Sequence, residues 1–333
     1  MKSEEIINDV KNIFMNYLVT GTAGFIGMHL SKRLSSQKKN KVVGIDNLNN
    51  YYDLDLKKSR VKNLIKNKRF KFFKTDICNF SALDKIIKLN KIKIIIHLAA
   101  QPGVRHSIKK PNDYTKNNLL GFANVLEVSR KNDIQHLLFA SSSSVYGKKN
   151  KKPFKEVDNT DFPLNYYGAT KKANEIMAYS YSYLYSMRIT GLRFFTVYGP
   201  WGRPDMSPYL FTYAIAKNKS ITLFNNGNLY RDFTYIDDVI DAVVKITKKN
   251  TNKKFNLFNI GRGKPIKVSK FLEYIRENLN KKLIIQNVMK PKSDMSYTYS
   301  DNNKFKNLFK FKPKISLKDG VKKYVDWFKK YYL

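Results

Sequence analysis

Tyr167 and Lys171 stand four residues apart in Tyr167-Gly-Ala-Thr-Lys171, and on a helix that spacing places a phenol and an ammonium on one face. A phenol has an ordinary pKa of about 10 and is a poor base at neutral pH, but a neighbouring positive charge stabilises its anion. Tyr167 is therefore a candidate general base for a substrate hydroxyl, a role worth roughly 10²–10⁴ in rate. Ser142 lies 25 residues upstream in Ser141-Ser-Ser-Ser-Val-Tyr146-Gly147. Its hydroxyl can hydrogen-bond the same substrate oxygen and steady the charge that develops there.

These side chains need elements to position them, and the N-terminal half supplies a repeating set. Residues 17–20 read as an apolar strand, followed by Gly21-Thr-Ala-Gly24-Phe25-Ile26-Gly27 and a helical run through Met28, Leu30 and Leu34. Glycines at that spacing allow a tight turn and let backbone amides and a helix N-terminus approach a pyrophosphate. The next strand, residues 41–45, ends in Asp46-Asn47, with Asp46 19 residues past Gly27. A carboxylate there accepts both hydroxyls of an adenosine ribose and repels a 2′-phosphate, so NAD is expected rather than NADP.

Strands at 70–74, 92–98 and 136–140 end in Thr75-Asp76-Ile77, Leu98-Ala99-Ala100-Gln101 and Ser141–Ser144, with helices between them. This predicts an α/β, Rossmann-type doubly wound parallel sheet, whose ligands bind at the carboxyl ends of the strands. Asp76 and Ile77, and residues Leu98, Ala99, Ala100 and Gln101, join Gly21, Gly24, Phe25, Ile26, Gly27, Asp46 and Asn47 as candidate NAD contacts, with Tyr167 and Lys171. Asp76 reads equally well as a turn residue. His97, inside an apolar strand, reads as a satisfied core histidine.

The whole chain has 333 residues and a net charge of +37. Such a charge raises nucleic acid or an anionic membrane as partner. Of the basic residues 52 are lysine and 11 arginine, whereas bidentate phosphate and base recognition lean on arginine. The lysines fall in separated stretches, among them 57–74, and read as solvated surface, so no specific nucleic acid is expected. No apolar run is long enough to span a membrane. A single cysteine, Cys78, excludes an internal disulfide and a multi-cysteine metal site, and fits a cytoplasmic protein. No metal is expected.

Residues 4–14 predict a short amphipathic helix ahead of the first strand, giving an N-terminal extension over 1–14. The NAD-binding domain is then expected over 15–195 and a smaller C-terminal α/β substrate-binding domain over 196–333. Elements near 235–260, a helix at 237–247 and a strand at 255–260, are expected to pack back on the first domain. The last residues, from Val321 to Tyr332, read as a packed terminal helix.

The motifs together resemble the extended short-chain dehydrogenase/reductase family, an NAD-dependent epimerase/dehydratase group, over residues 17 to about 330. Within it, Asp46-Asn-Leu-Asn-Asn-Tyr-Tyr52, Ala100-Gln-Pro-Gly-Val-Arg105, the segment from Gly191 to Met206 and Arg231-Asp-Phe-Thr-Tyr-Ile-Asp-Asp238 are similar to signature segments of UDP-glucuronate 4-epimerases. The resemblance implies isomerisation of UDP-glucuronate to UDP-galacturonate through a 4-keto sugar, with Tyr167 as base and NAD as a bound prosthetic group. It also implies Arg231 at the diphosphate, Thr196 beside it and Asp294 at the uridine ribose, although Pro291-Lys-Ser-Asp294 departs from the usual Pro-Gly-Asp. The sugar carboxylate falls to Arg203 and to Ser142, Ser143 and Ser144, with Arg105 a weaker candidate. Acids that related dehydratases and decarboxylases place near 143–145 are missing here. A UDP-N-acetylglucosamine 4-epimerase, a UDP-glucuronate decarboxylase and a non-catalytic RNA-binding member of the fold are the alternatives. The family commonly forms homodimers through two long helices, here 115–131 and 166–186.

Overall fold

The computed structural model describes residues 15–148, 151–249, 251 and 253–333; the helix expected over 4–14 lies outside them. Seven strands, β1 (Met15–Thr20), β2 (Asn40–Asp46), β3 (Phe70–Lys74), β4 (Ile94–His97), β5 (His136–Ser142), β6 (Ile189–Phe194) and β7 (Phe255–Ile260), form one sheet in the order β7-β6-β5-β4-β1-β2-β3. Every neighbouring pair is parallel. Parallel strands are covered on both faces and read as apolar runs, as in Ile94–His97, buried at each position. Alternate side chains point to opposite faces, so Leu18, Ile95 and Leu137 enter one apolar cluster while Val19, Ile94, Ile96 and Leu138 enter the other.

The helices are α1 (Phe25–Ser35), α2 (Leu54–Ile65), α3 (Phe80–Leu89), α4 (Gly121–Lys131), α5 (Tyr166–Tyr185), α6 (Ser207–Ala216), α7 (Ile236–Lys248), α8 (Val268–Leu279) and α9 (Leu317–Tyr332), with several shorter turns. Asn165 sets the start of α5, its side-chain oxygen accepting the Gly168 amide at 2.8 Å. Tyr167 therefore sits in the first turn, at the carboxyl edge of the sheet.

The helix expected over 115–131 is not uniform. Thr115–Leu120 winds as a π-helix before α4 begins at Gly121. The wider turn brings Asn118 inward, where its side chain accepts the Gln101 amide at 2.7 Å and donates to the Gln101 carbonyl and the Thr170 hydroxyl, each at 3.1 Å. Asn174 donates to the Asn118 carbonyl at 2.7 Å, satisfying a backbone group in the buried turn.

After Phe195 the chain builds three two-stranded ribbons: Thr196–Tyr198 with Phe233–Tyr235, Ile221–Phe224 with Ile285–Val288, and Tyr230–Arg231 with Ile266–Lys267. Helix α7 and strand β7 return to the first half of the chain. Asp241 on α7 pairs with Arg33 on α1 at 2.6 Å, and β7 is the outer strand of the main sheet. Helix α9 buries Val321, Tyr324, Val325 and Phe328 and packs Trp327 at a tilt against Trp201, with ring centroids 5.6 Å apart. Among the described residues no helix is long and apolar enough to cross a membrane.

Candidate active site

The sheet order reverses between β1 and β4, the crossing point at which ligands enter doubly wound sheets. A cleft of about 1120 Å³ opens there and runs to the ribbons of the second half. At one end lies the glycine turn. Gly21 has φ +71, and a Cβ on it would stand 2.7 Å from the Ala99 amide nitrogen; one on Gly24 would meet the Gly21 carbonyl at 2.9 Å. Gly27 is tighter still against the same carbonyl. Only glycine leaves this cradle open, and Gly24 caps α1 without a side-chain hydrogen bond, so the first-turn amides remain available to an anion. The Thr20 hydroxyl ties the two crossing strands together, accepting the Leu98 and Ala99 amides at 3.1 Å and meeting His97 Nδ1 at 2.8 Å. Burial pulls His97 down to about 3, so it is a neutral core residue.

Asp46 ends β2 with its carboxylate accepting the Ala23 amide at 3.1 Å and the Leu48 amide at 2.9 Å. Burial pushes its pKa up, against the opposing pull of the Leu48 amide and Lys57. Asn47, Ile77, Leu98, Ala99 and Ala100 line the same wall with Phe25 and Ile26. These residues fit a dinucleotide: an open cradle for phosphates and a carboxylate at the end of the next strand, the position from which such folds bind a ribose. Two candidates are set behind the wall. Asp76 is occupied by the Asn47 side chain at 2.9 Å and the Cys78 amide at 2.8 Å, and Gln101 is buried in the Asn118 network. Both shape loops that touch the cleft.

Mid-cleft, Tyr167 and Ser142 face each other. Burial raises the Tyr167 pKa, while hydrogen bonding with Ser142 and the charge of Arg203 lower it. The Ser142 hydroxyl also accepts the Ser144 amide at 3.1 Å. Lys171 is 2 % exposed, donates to the Ala140 carbonyl at 2.9 Å and lies 6.0 Å from the centre of the Tyr167 ring. Burial lowers its pKa to about 8. A lysine displaced downward loses its proton as pH rises through that value, so its support for a phenolate fades on the alkaline side. A pH–rate profile should therefore show an alkaline limb near pH 8, and a profile flat into the ordinary lysine range would show that Lys171 keeps its charge.

At the far end the wall carries Ser143, Ser144, Thr196, Arg203, Arg231 and Asp294. Arg203 is held by both carboxylate oxygens of Asp205, which also accepts the Tyr51 hydroxyl at 3.0 Å. Burial disfavours the Arg203 charge, but Asp205 outweighs it and raises the pKa. Arg231 is not paired with its neighbour. Asp232 is buried and takes the amides of Arg262, Gly263 and Ser300 at 2.9–3.0 Å, and the Ser300 hydroxyl, while Arg231 donates to the Tyr230 carbonyl at 2.9 Å. Asp294 instead meets Arg105 at 3.3 Å, whose guanidinium lies 4.6 Å from the Phe224 ring centre.

Several supporting residues have no counterpart in the motif reading. Lys57, expected on solvated surface, is 5 % exposed, and Arg60, one turn further along α2, is 0 % exposed. Lys57 donates to the carbonyl and side-chain oxygen of Asn49 at 2.6 Å. Their burial follows from the apolar face of α2, where Leu56, Lys57, Arg60, Val61 and Leu64 turn inward together. Glu175 and Arg193 form a buried bidentate pair with both contacts at 2.8 Å, and Ser141 donates to the same carboxylate. Their signal lay in the sequence: Tyr167, Lys171 and Glu175 repeat every four residues along the inward face of α5.

Residues 17–261 match the NAD dependent epimerase/dehydratase family. Among curated relatives, Protein CapI of Staphylococcus aureus is 43 % identical over 96 % of this chain and 99 % of its own. The Probable UDP-glucuronate 4-epimerase of Rhizobium meliloti is 38 % identical over 96 % of this chain and 98 % of its own. Among solved structures, the UDP-glucuronic acid 4-epimerase of Bacillus cereus in complex with UDP-glucuronic acid and NAD superposes with a TM-score of 0.91 at 33 % identity, covering 96 % of this chain and 100 % of that one. With a glycine cradle, a Ser–Tyr–Lys centre and an arginine-bearing cleft in one continuous wall, the chain belongs to the NAD dependent epimerase/dehydratase family.

Proposed function

We propose that the chain interconverts UDP-glucuronate and UDP-galacturonate by 4-epimerisation, with NAD as a bound prosthetic group. The observation that carries this reading is the meeting of Tyr167, Ser142 and Lys171 midway between an open glycine cradle and a cleft end bearing Arg203 and Arg231. The curated and structural relatives named above support it.

NAD, when bound along Gly21, Gly24, Phe25, Ile26, Gly27 and Asp46, would accept the C4 hydride, give it back to the other face of the 4-keto sugar and place a positive charge beside the phenol. Tyr167 takes the proton of the sugar 4-hydroxyl, and Lys171 stabilises the phenolate. Ser142 donates to the C4 oxygen as its charge develops. The 4-keto sugar turns over in the cleft, and Tyr167 returns the proton to the epimeric hydroxyl. Arg231 and Thr196 hold the diphosphate end and Asp294 the uridine ribose. Arg203, with Ser143 and Ser144, holds the sugar carboxylate. That restraint matters because a 4-keto glucuronate is a β-keto acid and loses CO₂ when its C5–carboxylate bond aligns with the carbonyl π system.

In this reading residues 15–195 carry NAD, residues 196–333 carry the UDP-sugar, and the cytoplasm is the working compartment. A homodimer through the helices of 115–131 and 166–186 is supported by Ile176, Tyr179, Tyr183 and Leu184, which α5 leaves 57–77 % exposed. Incubation with UDP-glucuronate and resolution of the products tests the activity. UDP-galacturonate is expected; UDP-xylose alone, or no turnover, rejects the reading.

A further inference from the structure

Arg60 on α2 is fully buried, and its guanidinium spans two parts of the site. One terminal nitrogen donates to the Ala23 carbonyl in the glycine turn at 2.9 Å and to the Tyr52 hydroxyl at 2.7 Å. The other donates to the Trp201 carbonyl at 2.6 Å and to the Gly202 carbonyl at 3.1 Å. Those carbonyls immediately precede Arg203. Among the described residues none of the ion pairs involves Arg60, and its Nε atom is buried without a partner. A cation taken out of water is costly; the Tyr52 ring, 5.5 Å from the guanidinium, and the field of Asp46 offset part of that cost, and the four donated bonds make a rigid link between two loops.

The second loop needs such a link. Trp201 has φ +62, a left-handed conformation that a bulky side chain adopts only when its surroundings over-determine it. Its ring is held by Trp327 and Tyr331 of α9, with centroids at 5.6 and 4.9 Å, and its carbonyl by Arg60. On the other side, the Ala23 peptide is gripped at its N–H by Asp46 and at its carbonyl by Arg60. The planar fork of arginine reaches both loops at once; a lysine ammonium does not.

We propose that Arg60 is a positioning residue for product fidelity: by fixing the glycine turn against Trp201 and Gly202, it sets where Arg203 holds the substrate carboxylate relative to C4. The proposal rests on the 4-epimerase reading. When the link loosens, the carboxylate swings into alignment with the C4 carbonyl. The C5–C6 bond then breaks, its electron pair forms the C4–C5 enolate, CO₂ departs and C5 takes a proton from water; the UDP-4-keto-pentose either regains the C4 hydride as a UDP-pentose or leaves while the cofactor keeps that hydride, and both count as CO₂-loss product.

The test uses purified holoenzyme as wild type, Arg60→Lys and Arg60→Met, with UDP-glucuronate as probe. Three quantities are read: the ratio of CO₂-loss product to UDP-galacturonate, NAD content per chain, and the thermal midpoint. Both variants are expected to raise the ratio about tenfold, within the range that small misplacements of reacting groups produce. An unchanged ratio overturns the proposal, whatever happens to the midpoint, and so does lost NAD with a normal ratio. Should Arg60→Met fail to fold, Tyr52→Phe removes one acceptor from the guanidinium and no charge; a raised ratio upholds the link and a wild-type ratio overturns it. A wild-type chain that makes no UDP-galacturonate overturns the functional reading itself, whereas a productive wild type with faithful variants overturns this inference alone.

Discussion

Tyr167→Phe is expected to lower turnover about 10²–10⁴-fold, the contribution of a positioned general base, while UDP-glucuronate affinity and NAD content stay within about tenfold of wild type. The substitution keeps the ring, its edge-to-face packing with Tyr114 at 6.2 Å and the start of α5, and removes only the oxygen that faces Ser142. Among the described residues, neither of the neighbouring phenols Tyr114 and Tyr51 is placed to replace it. The Tyr114 hydroxyl donates to the Pro102 and Gly103 carbonyls, and burial pushes its pKa up. Tyr51 is engaged with Asp205 and pushed up to about 12, chiefly by burial. Steady-state rates with a binding isotherm on the same preparation make the measurement. Turnover within about tenfold of wild type would falsify the assignment of Tyr167 as base.

Glu175→Gln is expected to destabilise the fold by about 3–5 kcal/mol, because it strands the Arg193 guanidinium in an interior that excludes water. The two side chains are 4 % and 2 % exposed. The carboxylate also accepts the Ser141 hydroxyl, and Arg193 stands 4.8 Å from the Tyr146 ring centre. Glu175 thus joins α5 to β5 and β6, one helical turn past Lys171 and bonded to Ser141, the residue before Ser142. A denaturant unfolding series on the single variants and on Glu175→Met with Arg193→Met separates the pair from its parts. The double replacement, with similar apolar volume and no stranded charge, should recover most of the loss. A loss below about 1 kcal/mol for the single change would mean that water reaches the pair, as it does at surface ion pairs.

The parts of the site legible in the sequence are those whose chemistry acts through local spacing. The glycine turn must be glycine because a Cβ at Gly21, Gly24 or Gly27 would collide with backbone. Tyr167 and Lys171 share a helix face by arithmetic, and Asp46 ends a strand whose length is set by its apolar run. Within the lysine-rich stretch 57–74 the solvated reading fails at Lys57. Lys57 and Arg60 belong to the same basic stretch as exposed neighbours, and only the rotation of α2 against the sheet decides which point inward. Composition carries no record of that rotation.

Pairs made across long sequence separations were equally silent. Glu175 and Arg193 are 18 residues apart, and Arg60 and Trp201 are 141 apart; the four-residue repeat of α5 turns Glu175 inward, but nothing local names Arg193 as its partner or ties Arg60 to Trp201. The wide winding of Thr115–Leu120 goes with the Asn118 contacts to Gln101 and Thr170, which no helix propensity contains. The sequence by itself determined the alternating sheet, the phosphate cradle and the Ser–Tyr–Lys chemistry, since these depend on neighbours a few residues away. The tertiary structure alone decided which charges are buried, that Arg193 is held by Glu175 and that Asp294 meets Arg105, because burial and pairing are properties of surfaces brought together by the fold.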